Sequence, residues 1–91
     1  MTDLALKDNG HRLTAEVEGR ELEIRYGWAS KDVMRVDYVG VPSSLGGRGL
    51  GTELVGTLVK RARKQNFRIQ PICGFARQKL REHKEWHDVL A

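Results

Sequence analysis

The chain has 91 residues and a formal net charge of +4, with 40% hydrophobic and 31% charged residues. This length suits one small core, so we expect a single minimal domain over residues 1–91. The lone cysteine, Cys73, excludes a disulfide scaffold. No signal peptide or membrane-length apolar run is evident, which favours a cytoplasmic protein. The modest positive charge favours an anionic partner without identifying it.

Two early segments alternate apolar and polar residues with period two, which is typical of half-buried strands. "HRLTAEVEG" and "ELEIRYGWA" are separated by a short turn at residues 18–20, and together they predict a β-hairpin. In the second segment the alternation places four large apolar residues on one face: Leu22, Ile24, Tyr26 and Trp28.

A third segment, "VMRVDYVGV" at 33–41, follows a predicted turn at 29–32 and reads as a longer strand. Strict alternation would place Tyr38 on the same face as Met34 and Val36, with Val39 and Val41 on the opposite face. Pro42 should end the strand because proline cannot donate a hydrogen bond to a sheet ladder.

An amphipathic helix is predicted after the third strand, ending near Asn66. "FRIQPIC" at 67–73 reads as a fourth strand, and the helical crossover implies that it pairs in parallel with the third. A short helix at about 75–83 and an irregular tail containing Trp86 complete the chain. The predicted class is α/β (α+β): three antiparallel strands, a crossover helix, one parallel strand and a short C-terminal helix. The apolar face of the crossover helix comprises Leu50, Leu54, Val55, Leu58, Val59 and Ala62.

Four glycines within six residues stand directly before this helix. A helix N-terminus offers free N–H groups to an anion, and glycines let a phosphate approach the backbone closely. We therefore predict a pyrophosphate cradle. Thr52 stands where the nucleoside-triphosphate loop needs lysine and where the Rossmann fingerprint needs its third glycine, so neither of those motifs fits. The predicted cradle comprises Gly46, Gly47, Arg48, Gly49, Leu50, Gly51 and Thr52.

"GGRGLG" resembles the Gln/Arg-x-x-Gly-x-Gly/Ala segment that binds the pyrophosphate of acetyl-CoA in acetyltransferases of the GCN5-related superfamily. "VGVPSSLGGRGLGTELV", "IQPICGFARQKLREH" and "HKEWHDVL" further resemble a subfamily of minimal acetyltransferase-like proteins of about this length. The resemblance covers residues 15–90. The chain departs from the pattern at Gly46, which replaces Gln or Arg, at Lys84, which replaces proline, and at Tyr38, where histidine is frequent.

The resemblance implies acetyl-CoA as the bound cofactor and assigns roles to individual residues. Val39 and Val41 would lie beside the pantetheine arm, and Arg77 would contact a CoA phosphate. Cys73 would lie near the thioester sulfur, where it could either accept the acetyl group or line the tunnel. Phe75 occupies the region in which larger relatives use a tyrosine as general acid.

His83 has two open interpretations, a base that deprotonates the amine or a structural group at a helix end. His83 and His87 have a spacing compatible with metal binding, but no third ligand is evident, so no metal site is predicted.

The predicted activity is acetyl transfer to the amine of an unknown acceptor, either a protein or peptide or a substrate whose site a partner subunit completes. We expect a monomer or weak homodimer and no membrane partner. One alternative is a module that binds CoA or acyl-CoA without turnover. The other is a nucleic-acid binder that uses the basic residues at 60–64 and 77–84, but no aromatic-studded basic strand supports it.

Overall fold

The computed structural model describes residues 4–91. A five-stranded sheet has its strands in chain order, antiparallel from β1 to β4, with β5 parallel to β4. No helix of the described residues is long and apolar enough to span a membrane. The strands are β1 (Lys7–Asp8), β2 (Arg12–Val17), β3 (Arg20–Ser30), β4 (Val33–Gly40) and β5 (Arg68–Pro71), and the helices are α1 (Leu50–Gln65), α2 (Gly74–Glu82) and two 3-10 segments, Ser43–Leu45 and Lys84–Val89.

The predicted hairpin is confirmed as β2 and β3, joined by the two-residue turn Glu18–Gly19. Both turn residues have positive φ angles, 52° and 75°, as a type I′ hairpin turn requires. The two-residue strand β1 was not predicted, because a segment this short carries no detectable alternation.

A β-bulge interrupts the pairing of β3 with β4. Tyr26 lies opposite Val36 and Arg25 lies opposite Tyr38, so Asp37 is an extra residue on β4. An extra residue reverses the side-chain alternation beyond it.

The bulge overturns one prediction about the faces of this strand. Met34 and Val36 are buried as expected, but the Tyr38 side chain is on the opposite face and 47% exposed. Val39 and Val41, which follow the bulge, pack against the core instead. Strict period-two alternation cannot anticipate a bulge, and this one turns two valines towards the helices.

Helix α1 confirms the predicted crossover and packs its apolar stripe into the core. Its C-terminal cap is Asn66, in the left-handed conformation with φ 60°, and the Asn66 N–H bonds to the carbonyl of Ala62. All six residues predicted for its apolar face are buried: Leu50, Leu54, Val55, Leu58, Val59 and Ala62.

The C-terminal region differs from the prediction in two respects. Strand β5 ends at Pro71, two residues earlier than expected. The tail is not irregular but forms the 3-10 helix Lys84–Val89, in which Val89 is buried. Leu90 then forms a bridge with Ile69, and the Ala91 N–H donates to the Ile69 carbonyl at 2.9 Å. The tail therefore covers the outer edge of β5, a contact that no local pattern encodes.

The sheet face opposite the helices carries charged side chains in ion pairs. Arg12 contacts Glu21 at 2.8 Å and Glu23 at 3.0 Å. The guanidinium of Arg25 lies 5.1 Å from the ring centre of Tyr38. This face, called the outer face below, also carries the half-exposed ring of Tyr38.

Tyr26 connects β3 to β1, because its hydroxyl donates a hydrogen bond to Asp8 at 2.6 Å. Arg61 of α1 contacts the other carboxylate oxygen of Asp8 at 3.4 Å. Burial, reinforced by the hydrogen bond to Asp8, raises the pKa of Tyr26 to about 12. Burial alone would raise the pKa of Asp8, but the bonds from Tyr26 and Gly10 and the charge of Arg61 hold it below its usual value.

We predict that Tyr26 makes stability sensitive to alkaline pH. Folding favours the protonated phenol, so its contribution is complete below the ordinary pKa of about 10 and is lost as the pH rises towards 12. Denaturant unfolding at several pH values should show that Tyr26→Phe costs about 1 kcal/mol near neutral pH and that this difference shrinks above pH 10. Tyr38→Phe on the outer face is the matched control. Parallel pH curves for wild type and Tyr26→Phe would contradict the prediction.

Candidate functional site

The loop after β4 is anchored before the glycines begin. Leu45 is 4% exposed, and its N–H donates to the Pro42 carbonyl at 2.9 Å. The Gly46 N–H donates to the Ser43 carbonyl at 3.0 Å. The 3-10 turn thus fixes where the glycine segment starts.

Gly47 and Gly49 have φ angles of +76° and +73°, a left-handed conformation that costs other L-residues energy. No protein atom lies within 4 Å of where a Cβ would stand at either position. These two glycines are therefore required by the backbone path, and their open sides face free space.

The N-terminus of α1 is unprotected by side chains. Gly49 is its N-cap, no side chain caps it within the described structure, and the first helical bond runs from the Glu53 N–H to the Gly49 carbonyl at 3.0 Å. The N–H groups of residues 50–52 consequently have no helical acceptor, and they stand at the positive end of the helix dipole. Such an end binds anions, phosphates above all.

A groove of about 420 Å³ joins this helix end to the end of β4 and the start of α2. We call it the glycine groove. Its volume is within the range of small-molecule sites. Eight predicted cofactor-binding residues line it, namely Val39, Val41, Gly46, Gly47, Gly49, Leu50, Gly51 and Thr52, together with Leu45, Phe75 and Lys79.

Gly51 has a packing role rather than a conformational one. A Cβ at this position would lie 2.7 Å from Cζ of Phe75, which is closer than carbon atoms can approach. The missing side chain lets the Phe75 ring of α2 lie against the first turn of α1. The side wall of the glycine groove is built by this contact.

Among the described residues, Lys79 is the ionisable side chain in the lining of the glycine groove. Its ammonium lies 5.6 Å from the centre of the Phe75 ring and 3.3 Å from a carboxylate oxygen of Glu82. Arg77 was predicted to contact a phosphate, but the lining contains Lys79 and not Arg77. A spacing of four residues on α2 puts Lys79 beside Phe75, a signal that the sequence did contain.

Arg48 points away from the glycine groove. It donates to the Glu18 carboxylate of the β2–β3 turn at 2.6 Å, and this hydrogen bond lowers the pKa of Glu18. Arg48 therefore ties the glycine loop to the hairpin.

Cys73 lies where β4 and β5 separate. The strands pair as far as Val36 opposite Pro71, and the N–H groups of Ile72 and Cys73 then both donate to the Val36 carbonyl, at 2.9 and 3.0 Å. Cys73 is partly buried against the core and is the N-cap of α2. It stands at the divergence of the strands but outside the lining of the glycine groove, and its predicted position near the thioester sulfur stays a prediction.

A second groove, of about 600 Å³, runs between α1 and the C-terminal 3-10 helix. We call it the tryptophan groove. His83 and Trp86 stack in its wall, with ring centres 4.0 Å apart and planes 17° from parallel. No functional role was predicted for Trp86, because it lies in a tail without a helical or alternating repeat. The lining consists of Arg48, Gly49, Thr52, Glu53, Gly56, Thr57, Lys60, His83, Glu85 and Trp86.

His83 and His87, whose spacing is compatible with metal binding, have separate hydrogen-bond partners. His83 Nδ1 lies 3.0 Å from Glu85, and His87 Nε2 lies 3.2 Å from the Arg81 carbonyl. Within residues 4–91 no three potential ligand side chains gather into a metal site. His83 belongs to the tryptophan groove and does not line the glycine groove.

Two basic residues at the end of α1 are engaged in ion pairs. Arg63 contacts Asp88 at 2.8 Å and Arg61 contacts Asp8 at 3.4 Å. Each of these two pairs reduces the positive charge that the end of α1 can offer to the phosphates of a nucleic acid. This arrangement disfavours the nucleic-acid alternative.

We predict that Gly49→Ala lowers the free energy of unfolding by about 1–2 kcal/mol, because alanine disfavours the left-handed conformation. Gly74→Ala is the control, since Gly74 begins a helix without a positive φ and in open space. That substitution should leave stability unchanged or raise it. Equal losses for both variants in denaturant unfolding would contradict the assignment.

Comparison with known proteins agrees with this geometry. A family described as GCN5-related N-acetyl-transferase matches residues 12–89. Among solved structures, the chain is similar to a GCN5-like protein of Staphylococcus aureus, solved by NMR in solution and described as a candidate N-acetyltransferase. They share 29% identity with a TM-score of 0.76, over 100% of this chain and 91% of the other. No curated protein matches. The family match and the shared fold confirm the resemblance seen in the sequence, and the chain belongs to the GCN5-related N-acetyltransferase family.

Proposed function

We propose that the glycine groove binds acetyl-CoA and that the protein transfers the acetyl group to an amine. The observation that carries this proposal is the continuity of the groove, which runs from an uncapped helix N-terminus to the end of a strand that has lost its neighbour. A pyrophosphate and a pantetheine arm need these two surfaces side by side.

The chain offers a partner for the pyrophosphate and for the pantetheine arm of acetyl-CoA. The N–H groups of residues 50–52 would bind the pyrophosphate, with Lys79 adding positive charge. The pantetheine arm would lie along Val39 and Val41, because the side of β4 that faces β5 has no partner strand beyond Val36 among residues 4–91. Backbone groups there can pair with the amides of the arm, as in strand addition to a sheet edge.

The transfer would take place where β4 and β5 separate. The amine nitrogen attacks the thioester carbonyl carbon, the C–N bond forms and the C–S bond breaks, and the sulfur leaves as the thiolate of CoA. A backbone N–H at the end of β4 would stabilise the developing oxyanion. The amine loses one proton and the thiolate gains one, so the overall reaction gives an amide and free CoA.

The acceptor would approach from the outer face. Tyr38 and Ile72, at the two sides of the separation, are 47% and 49% exposed. Large apolar side chains so exposed beside a reaction site favour an acceptor that covers them. We infer a protein or peptide amine.

A second candidate function is acetyl-CoA binding without turnover. The lining of the glycine groove, over the described residues, contains Lys79 but no tyrosine, histidine or carboxylate. Phe75 occupies the region in which larger relatives have a tyrosine. Thiol release in the presence of peptide amines distinguishes this function from the first.

We predict that Gly49→Asn abolishes acetyl-CoA binding while preserving the fold. Asparagine tolerates the left-handed conformation better than other residues, but its side chain would project into the glycine groove. Gly10→Asn is the matched control, because Gly10 has a φ of +95° with open space around it and lies in the β1–β2 turn. Calorimetry should show binding for wild type and Gly10→Asn only, and unchanged affinity for Gly49→Asn would contradict the proposal.

We predict that Cys73→Ser retains acetyl transfer within a few-fold of wild type, because direct attack by the amine needs no thiol. Release of CoA during reaction with a peptide library measures the activity, and intact mass spectrometry tests for an acetylated enzyme. A complete loss of activity in Cys73→Ser, together with acetylated Cys73 in wild type, would instead establish a covalent intermediate.

A further inference from the structure

The tryptophan groove continues from the glycine groove. Gly49 and Thr52 line both grooves, so a ligand with its pyrophosphate on the start of α1 can extend in two directions. The direction past Val39 and Val41 leads to the separation of β4 and β5. The other direction follows one face of α1 from Thr52 to Lys60, about 12 Å along the helix axis at 1.5 Å per residue.

Gly56 allows an aromatic side chain, that of Trp86, to line this path. Glycine inside a helix costs about 1 kcal/mol relative to alanine. A Cβ at Gly56 would lie 3.0 Å from Cζ2 of Trp86, so the missing side chain allows the indole to lie directly on the helix. His83 stacks on the indole, and Trp86 is only partly buried.

The polar groups of the tryptophan groove suit a nucleotide. Lys60 lines one end of the groove and Arg48, which pairs with Glu18, lines the other, and the Glu53 carboxylate between them can accept hydrogen bonds from a ribose or a purine amine. The Glu85 carboxylate is already bonded to His83. An aromatic surface with cations and acceptors around it matches a purine, a ribose and a phosphate group.

We propose that the tryptophan groove binds the adenosine 3′-phosphate half of acetyl-CoA, with the purine packed against the His83–Trp86 pair. The inference rests on the proposed function, because it assigns the second half of the same ligand. It also gives His83 a binding role at the nucleotide end rather than a catalytic role at the thioester.

Two ligands separate this inference from the proposed function. Acetyl-CoA would occupy both grooves, whereas S-acetyl-4′-phosphopantetheine, which lacks the adenosine 3′,5′-bisphosphate and keeps one phosphate of the pyrophosphate, would occupy the glycine groove alone. Stacking of a base on an aromatic side chain is worth roughly 1–3 kcal/mol, so Trp86→Leu should weaken acetyl-CoA binding at least five-fold. The same variant should bind acetyl-phosphopantetheine as wild type does, and Trp86→Phe should restore most of the loss.

Fluorescence provides a readout that a purely structural role for Trp86 would not change. Trp28 packs edge-on against Phe67 at 5.3 Å, beyond the opposite end of α1, so Trp28→Phe leaves Trp86 as the only indole. Acetyl-CoA should quench its emission and acetyl-phosphopantetheine should not.

Each further outcome has a defined meaning. Equal weakening of both ligands by Trp86→Leu, or of neither, would overturn this inference and leave the proposed function standing. Absence of binding of both ligands to the wild-type protein would overturn the proposed function and this inference with it.

Discussion

The separation of β4 from β5 at Val36 is the constraint on which the site depends. Up to Val36 and Pro71 the two strands form a parallel ladder. Beyond that point the Val36 carbonyl accepts two N–H groups, from Ile72 and Cys73, and β5 gives way to α2. Strand β4 continues to Gly40 with one side unpaired. A sheet interior thereby becomes an edge with unpaired backbone groups without any extra element, which suits a chain of 91 residues.

The glycines of the loop and of α1 serve different physical purposes in forming the groove. Gly47 and Gly49 provide left-handed backbone, whereas Gly51 provides room for Phe75 and Gly56, further along α1, provides room for Trp86. Each lowers the intrinsic stability of the loop or helix. The buried leucines and valines of α1 and the anchored Leu45 offset that cost. The result is a helix end that is open to an anion and walled by aromatic rings on two sides.

Much of the fold followed from local patterns, because the period-two and helical repeats in this chain are clear. The hairpin, the apolar face of α1, its stop at Asn66 and the parallel pairing were all predicted and confirmed. The face of Tyr38 was wrong because one extra residue, Asp37, reverses the alternation. The ordered tail was missed because Leu90 pairs with Ile69, a residue distant in sequence. The composition of the glycine loop predicted a pyrophosphate cradle, and phosphate binding there stays a prediction. Its walls at Phe75, Lys79 and Trp86 come from helix packing, which no motif in the sequence specifies.

The most direct test of the account is a titration of the isotopically labelled protein with acetyl-CoA, followed by NMR through its backbone amide signals. The central claim is that one ligand contacts both the N-terminus of α1 and the unpaired end of β4. The amides of Leu50, Gly51 and Thr52 should therefore shift together with those of Val39 and Val41, all with the same dissociation constant. Shifts confined to the basic end of α1, or no shifts at the glycine loop, would contradict it.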